Sequence, residues 1–242
     1  MPLVEFRDVG HRVDGKTVLS HISFAVEPAE TLVLLGRSGA GKTTALKMTN
    51  GMVFPTSGQV LVEGRPTAEW DPIRLKRRIG YVIQDVGLFP HFTVAENVGV
   101  VPKLEGWSRA DRDRRVNDLL EKVGLDPAEF RPRYPRQLSG GQRQRVGVAR
   151  ALAADPALLL FDEPFGALDP ITRHDLQQQF LSLTRDLRKA ALFVTHDVRE
   201  ALRLGTRVAL LAGGLVDTIA APPEFRCAHS PEARAFLAGL ED

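Results

Sequence analysis

The chain contains a single cysteine, Cys227, in 242 residues. An intrachain disulfide is thereby excluded. Stability must come from a buried core, for which the length suffices, and a reducing compartment is the natural setting. Charge of one sign is not in excess either: 32 Lys and Arg against 30 Asp and Glu leave a net +2. A general nucleic-acid binder rests on many cationic phosphate contacts, so no nucleic acid is expected among the partners. No apolar run approaches the roughly 20 residues that a membrane helix requires. The longest candidate, Ala157-Leu-Leu-Leu-Phe161, suits a buried strand. Charges in Met1–Asp8 stand where a leader peptide would have its apolar centre. The reading is a soluble protein whose membrane role, if it has one, runs through a partner. His91, His174 and His229 lack ligand spacing, and one cysteine makes no zinc site. Repeats and low-complexity tracts are missing too.

What is present is an alternation of short apolar runs and glycine turns. Residues 3–35, broken by Gly15 and Pro28, suggest an antiparallel β portion. Thr31–Leu35 reads as a parallel strand buried on both faces. A helix is expected from Lys42 to about Asn50, stopped by Gly51, and strands over 58–64 and 79–84. Ser108–Asp111 resembles a capping box. Val116, Leu119, Leu120 and Val123 follow at helical spacing as far as Gly124. A second helix is expected from Gly140 to about Ala154. Then come a strand over 157–161, a helix opened by Asp169-Pro170 with an apolar face of Leu176, Phe180, Leu183 and Leu187, a strand over 191–195, and a hairpin turn at Gly213-Gly214. The arginines of 109–115 and 131–145 read as solvated helix faces with some charge near phosphate.

The chemistry sits at the ends of the apolar runs. Gly36-Arg37-Ser38-Gly39-Ala40-Gly41-Lys42-Thr43 fits G-x-x-x-x-G-K-[ST] between a strand and a helix. Glycines let backbone N–H groups point inward, where the helix dipole adds positive potential. Lys42 is expected to reach the β- and γ-phosphates, and the Thr43 hydroxyl to ligate Mg²⁺. Leu158–Phe161 ends in Asp162, a Mg²⁺ ligand in this setting, and Glu163, placed to polarise the attacking water. Alone, a strand ending in Asp-Glu often does no more than cap the next helix; the phosphate loop changes that balance. Gln84 and His196 also follow strands, the place where open α/β sheets bind ligands. Gln84 is read as bridging Mg²⁺ or water, and His196 as bonding the γ-phosphate. Finally, Leu138-Ser139-Gly140-Gly141-Gln142 opens a helix as a second phosphate-holding turn.

In order and spacing these motifs, with Ala167-Leu168-Asp169, resemble the ATPase subunits of ATP-binding cassette (ABC) transporters over essentially the whole chain. The resemblance implies an α/β fold: a RecA-like P-loop NTPase core (1–87 and 155–242) with an antiparallel β subdomain and an inserted α-helical subdomain (88–154). It implies that Gly36 to Thr44 is the Walker A loop, Thr44 included, that Asp162 is the Walker B aspartate and that Glu163 is the catalytic base. Gln84 becomes the Q-loop residue, Asp169 the D-loop residue and His196 the switch histidine. ATP and Mg²⁺ are the implied cofactors. In that family two copies face head to tail, and Ser139, Gly140, Gly141 and Gln142 of one close over the γ-phosphate held by the other. A membrane permease, and through it a substrate-binding protein, are the further implied partners, at the cytoplasmic face of the cell membrane.

Pro55–Gly58, Arg78–Gln84, Gly87–His91, Val101–Leu104 with Trp107, and Asp162–Arg173 look more narrowly like the ATPases of osmoprotectant importers, which take up quaternary amines. Amino-acid and other cassette importers share much of this wording, and a nucleotide-gated scaffold with little turnover is the alternative of another class. Two departures stand out. Val13 occupies the place where the family usually stacks an aromatic ring on adenine, a term of roughly 1–3 kcal/mol by analogy with aromatic–base stacking. The chain also stops at Asp242, without the paired CBS domains that many quaternary-amine importer ATPases carry.

Overall fold

The computed structural model describes residues 1–84, 86–166 and 168–240. Ala167 and Asp242, named above, lie outside the described residues. In chain order the structure runs β1 (Val4–Val13), β2 (Lys16–Val26), β3 (Thr31–Leu35), α1 (Lys42–Thr49), β4 (Ser57–Val62), β5 (Arg65–Pro66), α2 (Pro72–Arg78) and β6 (Ile79–Val82). A helical stretch follows: α3 (Val94–Val98), α4 (Val100–Leu104), α5 (Arg109–Lys122), α6 (Pro127–Phe130) and α7 (Gly140–Leu152). Last come β7 (Leu158–Asp162), α8 (Pro170–Asp186), β8 (Ala190–Thr195), α9 (Val198–Leu204), β9 (Arg207–Ala212), β10 (Leu215–Ala220), α10 (Pro222–Phe225) and α11 (Pro231–Ala238). These elements form two compact units, residues 1–76 with 188–242, and residues 77–187.

The first unit contains an antiparallel sheet in the order β2-β1-β4-β5. Asp14 and Gly15, both left-handed at φ 49° and 77°, make the tight turn between β1 and β2, whose right-handed twist favours that geometry. Phe6 stacks on Phe24 across the pair, with centroids 4.3 Å apart. The strand expected over 58–64 ends at Val62, because Glu63-Gly64 (φ 52° and 76°) turns the chain back into β5. β3 is buried along its whole length and pairs in parallel with β8 on one side and β9 on the other. The continuous apolar run therefore means what it predicts, a strand covered on both faces. Gly213-Gly214 turns β9 into β10 as expected, and the Gly214 carbonyl accepts from Ser20 N–H at 2.8 Å, tying that hairpin to β2.

α1 ends in a Schellman motif. Gly51 is left-handed at φ 66°, its N–H reaches Met48 O, and the Met52 N–H reaches Lys47 O at 2.9 Å.

In the second unit β6 and β7 pair in parallel, from Ile79 opposite Leu158 to Val82 opposite Phe161. Phe161 meets Phe180 of α8 edge to face at 4.9 Å. Val116, Leu119, Leu120 and Val123 are buried, and Gly124 (φ 67°) ends the helix, as their spacing predicts. Ser108 caps α5 by accepting from Asp111 N–H. The Asp111 carboxylate answers the Ser108 hydroxyl rather than its amide, so half of the capping box is present.

The arginines need correction. Arg115 donates to the carbonyls of Leu152 and Ala153 (2.9 and 3.2 Å) and ends α7 two residues before the expected Ala154. Arg145 takes the Val123 carbonyl at 2.8 Å, and Arg131 binds Asp113 through both its main-chain oxygen and its carboxylate. Helix ends leave such carbonyls without intrahelical donors, and a guanidinium offers five N–H groups. These side chains fasten helices to one another instead of facing only solvent.

Gly51→Val puts a β-branched side chain at a left-handed position. We expect a loss of about 1–2 kcal/mol in unfolding free energy, read as a lower urea midpoint at unchanged m-value.

Candidate functional site

The loop from Gly36 to Gly41 leaves the carboxyl end of β3 and curls back on itself. Gly39 and Gly41 are left-handed (φ 81° and 94°). A Cβ on Gly41 would stand 2.4 Å from Leu19 Cδ2, and one on Gly36 2.4 Å from Leu211 O. Only glycine fits either position. Inside the curl lies the Lys42 ammonium, buried, donating to Gly36 O at 2.8 Å and Arg37 O at 3.0 Å. Gly41 is the N-cap of α1 and offers no side-chain acceptor, and no acidic residue stands in the first turn. The dipole of that helix start favours an anion. Arg37, Ser38 and Gly39 are exposed on the loop, while Thr43 and Thr44 sit half-buried in the first turn.

Leu35 of β3 lies directly opposite Thr195 of β8. The phosphate loop and His196 therefore emerge side by side at the carboxyl ends of adjacent parallel strands. His196 is exposed. Val13, half-exposed, stands at the tip of the β1–β2 hairpin, whose Val18-Leu19 stretch packs against Gly41.

The second unit repeats this arrangement. Val82 lies opposite Phe161, so Gln84, in the turn after β6, and Asp162-Glu163, at the end of β7, share one edge. Glu163 is left-handed at φ 46° with no glycine's excuse, a strained conformation of the kind that marks functional positions. Tyr81 of β6 donates its hydroxyl to Asp162 Oδ2 at 3.4 Å. Burial, and then the neighbouring Asp162 charge, push the phenol well above its ordinary value, so it stays a donor. Past Gln84 the chain passes through Val86 and Gly87, both left-handed (φ 54° and 56°). Arg150 of α7 clamps their carbonyls at 2.5 and 2.6 Å, and burial lowers its pKa. Tyr81 and Arg150 escape a linear reading because their partners lie far off in sequence. The one available signal for Tyr81 is a polar-tipped residue inside a short apolar strand.

Ser139 opens α7 as the N-cap of a complete capping box. Its hydroxyl accepts from Gln142 N–H at 3.2 Å, and Gln142 Oε1 accepts from Ser139 N–H at 2.9 Å. Ser139 and Gly140 are exposed. A Cβ on Gly141 would meet Thr172 Cγ2 at 2.6 Å, so the turn lies against the start of α8. There Asp169 is the N-cap, accepting from Thr172 N–H at 3.0 Å.

Residues 19–166 match the profile of the ABC transporter family, more than half of the chain. The chain belongs to the ABC transporter family. It is 49% identical over 206 residues to the osmoprotectant import ATP-binding protein OsmV of Salmonella typhimurium, covering 85% of this chain and 54% of that protein. To the glycine betaine/carnitine/choline transport ATP-binding protein OpuCA of Bacillus subtilis it is 48% identical over 210 residues, covering 87% and 55%. The chain thus spans about half the length of these curated relatives. Among solved structures, the dimeric structure of a post-hydrolysis state of the ATP-binding cassette MJ0796 bound to ADP and Pi superposes with a TM-score of 0.80 at 31% identity. That match covers 90% of this chain and 98% of the other. The ABC cassette fold expected from the motifs, with its antiparallel β portion and parallel core strands, is the observed one.

Within this ABC chain, one carboxylate gives a pH test. The Thr172 amide, and then its hydroxyl, hold the Asp169 carboxyl below the usual carboxylate range. A lowered folded-state pKa contributes stability above the unfolded value and loses it as pH falls through the folded one. The Thr172 amide resonance is therefore expected to titrate with a midpoint under the reference of about 3.9, and Asp169→Asn to remove that step.

Proposed function

We propose that the chain is the ATP-hydrolysing motor subunit of an importer, working as a head-to-tail pair of copies beneath a membrane permease. The observation that carries this reading is a self-capped Ser139–Gln142 turn, exposed at Ser139 and Gly140, on a chain that already has a complete phosphate loop. One chain with two phosphate-facing helix starts suits a site assembled from two copies. Names of the relatives support the import of quaternary amine osmoprotectants as the transported class. No helix among the described residues is long and apolar enough to cross a membrane.

In this reading Lys42 and the amides of Gly36–Thr44 hold the β- and γ-phosphates, and Val13 lies under the base without a ring to stack. Glu163 orients and polarises the attacking water, His196 bonds the γ-phosphate, and Gln84 and Asp169 report its state to neighbouring elements. The described residues hold no cluster of three or more His, Cys, Asp or Glu suited to a metal. Magnesium needs no such cluster, since it takes one or two protein oxygens and completes its shell with phosphate and water. Thr43 Oγ1 and Asp162 would be the hard oxygen donors, with Gln84 as a further candidate. Bound there, the ion would neutralise charge on the transferred phosphoryl group.

Two experiments test the reading. Glu163→Gln is expected to abolish hydrolysis while MgATP drives the protein into a stable dimer on size-exclusion chromatography. Adding Ser139→Arg should return it to a monomer that still binds nucleotide; loss of nucleotide binding by that monomer would overturn the trans assignment. For the substrate, the chain expressed with its permease in a strain lacking osmoprotectant uptake is expected to restore accumulation of labelled glycine betaine at high osmolarity. Unchanged accumulation beside active hydrolysis would remove the osmoprotectant assignment.

A further inference from the structure

One buried carboxylate has no part in the reaction outlined above. Glu200, in the first turn of α9, is buried to 6% exposure. Its Oε2 accepts the Thr195 hydroxyl at 2.7 Å. Thr195 is itself buried at the end of β8, and its Oγ1 in turn accepts the Asp197 N–H at 3.0 Å. The three groups bracket His196, whose two peptide neighbours are the residues joined by that second bond. Asp197 completes the bracket by accepting the amides of Arg199 and Glu200 (2.8 and 3.4 Å) as the N-cap of α9.

A hydroxyl has one hydrogen and two lone pairs. The buried carboxylate claims the hydrogen, which turns a lone pair toward the Asp197 amide and closes the turn that carries His196. We propose that Glu200 and Thr195 are positioning residues. Through the chain Glu200–Thr195–Asp197 N–H they hold the exposed His196 imidazole at the edge shared with the phosphate loop. This rests on the reading of His196 as a γ-phosphate ligand. A buried hydrogen bond is stronger than one exposed to water, and this one couples the His196 turn to the start of α9.

The test is a rescue series on the full chain, measuring steady-state ATP hydrolysis, binding of a fluorescent ATP analogue and thermal unfolding. Thr195→Val and Glu200→Ala each remove the bond. We expect kcat to fall about tenfold or more, with KM and nucleotide affinity held within about twofold. Thr195→Ser and Glu200→Gln keep an acceptor and a hydroxyl, and should recover activity to within about threefold of the parent. The double variant Thr195→Val/Glu200→Ala should cost little more than either alone, because both break one chain. Thr195→Val is nearly isosteric, and it decides the matter if Glu200→Ala fails to fold. Full activity in both truncations, or losses that track the folded fraction in all four variants, would overturn the brace. His196→Ala separates the two layers. If it is inactive while both truncations stay fully active, the brace alone is wrong. If it is as active as the parent, the γ-phosphate reading falls and the brace falls with it.

Discussion

A buried ammonium inside a curl of backbone is the constraint around which the first unit is organised. An isolated cation taken out of water is severely penalised unless it is bonded. Lys42 escapes that penalty because the loop turns its carbonyls inward at Gly36 and Arg37. The loop can do so only because Gly39 and Gly41 adopt left-handed angles and because Gly36 and Gly41 carry no Cβ to strike Leu211 and Leu19. The neighbours that enforce those close approaches belong to β9 and β2. Parallel strand, antiparallel hairpin and helix start are therefore mutually fixed by the geometry of one side chain. The carbonyl bonds keep the charge in place, and the start of α1, which has no side-chain cap, adds a dipole that favours an anion.

Much of this was legible in the sequence, for a physical reason. The glycine loop, the apolar runs and the polar residues that end them are local: a strand covered on both faces must be continuously apolar, and the residue after it must face the edge. Gly51 and Gly124 as helix stops, and Asp169-Pro170 as a helix start, are local too, since each acts on backbone within a few residues. Contacts made across long separations were not legible. Arg150 reaches Val86 and Gly87, Tyr81 reaches Asp162, and Arg145 reaches the end of α5. A string of arginines on amphipathic helices looks solvent-facing because composition shows the charge but not the carbonyls waiting for it. Glu200 is illegible for the same kind of reason: an acidic residue in a helix's first turn is ordinary, and only burial makes it notable.

Of the three non-glycine left-handed residues described in the second unit, Asp155 closes the turn after α7, and the other two are Glu163 and its counterpart past Gln84, Val86. Glu163 and Val86 are left-handed without being glycine, and each costs of order 1–3 kcal/mol to hold there. The compensation differs. Arg150 grips the carbonyls of Val86 and Gly87 directly, and Val86 fits against Gly147, where a Cβ would come within 2.6 Å. The chain around Glu163 is closed by a turn in which the Gly166 N–H reaches Glu163 O at 3.3 Å. Because Arg150 lies on the helix that Ser139 opens, the turn proposed to meet a partner's phosphate and the loop after Gln84 are held by one rigid element. A tilt of α7 would displace both together.

The composition of the Ser139–Gln142 turn then follows from accounting for its amides. A helix start leaves its first amides without intrahelical acceptors. In α7 the Gln142 amide is taken by the Ser139 hydroxyl, and the Ser139 amide by the Gln142 side chain. The amides of Gly140 and Gly141 have no such side-chain partner in the box. Both residues lack a Cβ, and at Gly141 one would collide with Thr172. Serine and glutamine thus fix the turn from within, Gly140 keeps its exposed face bare, and Gly141 lets the turn lie against α8. On the proposed reading, that face is what one copy offers to the nucleotide of the other. A side chain at Gly140 would obstruct it with the helix behind it still folded, whereas one at Gly141 would push the turn off Thr172.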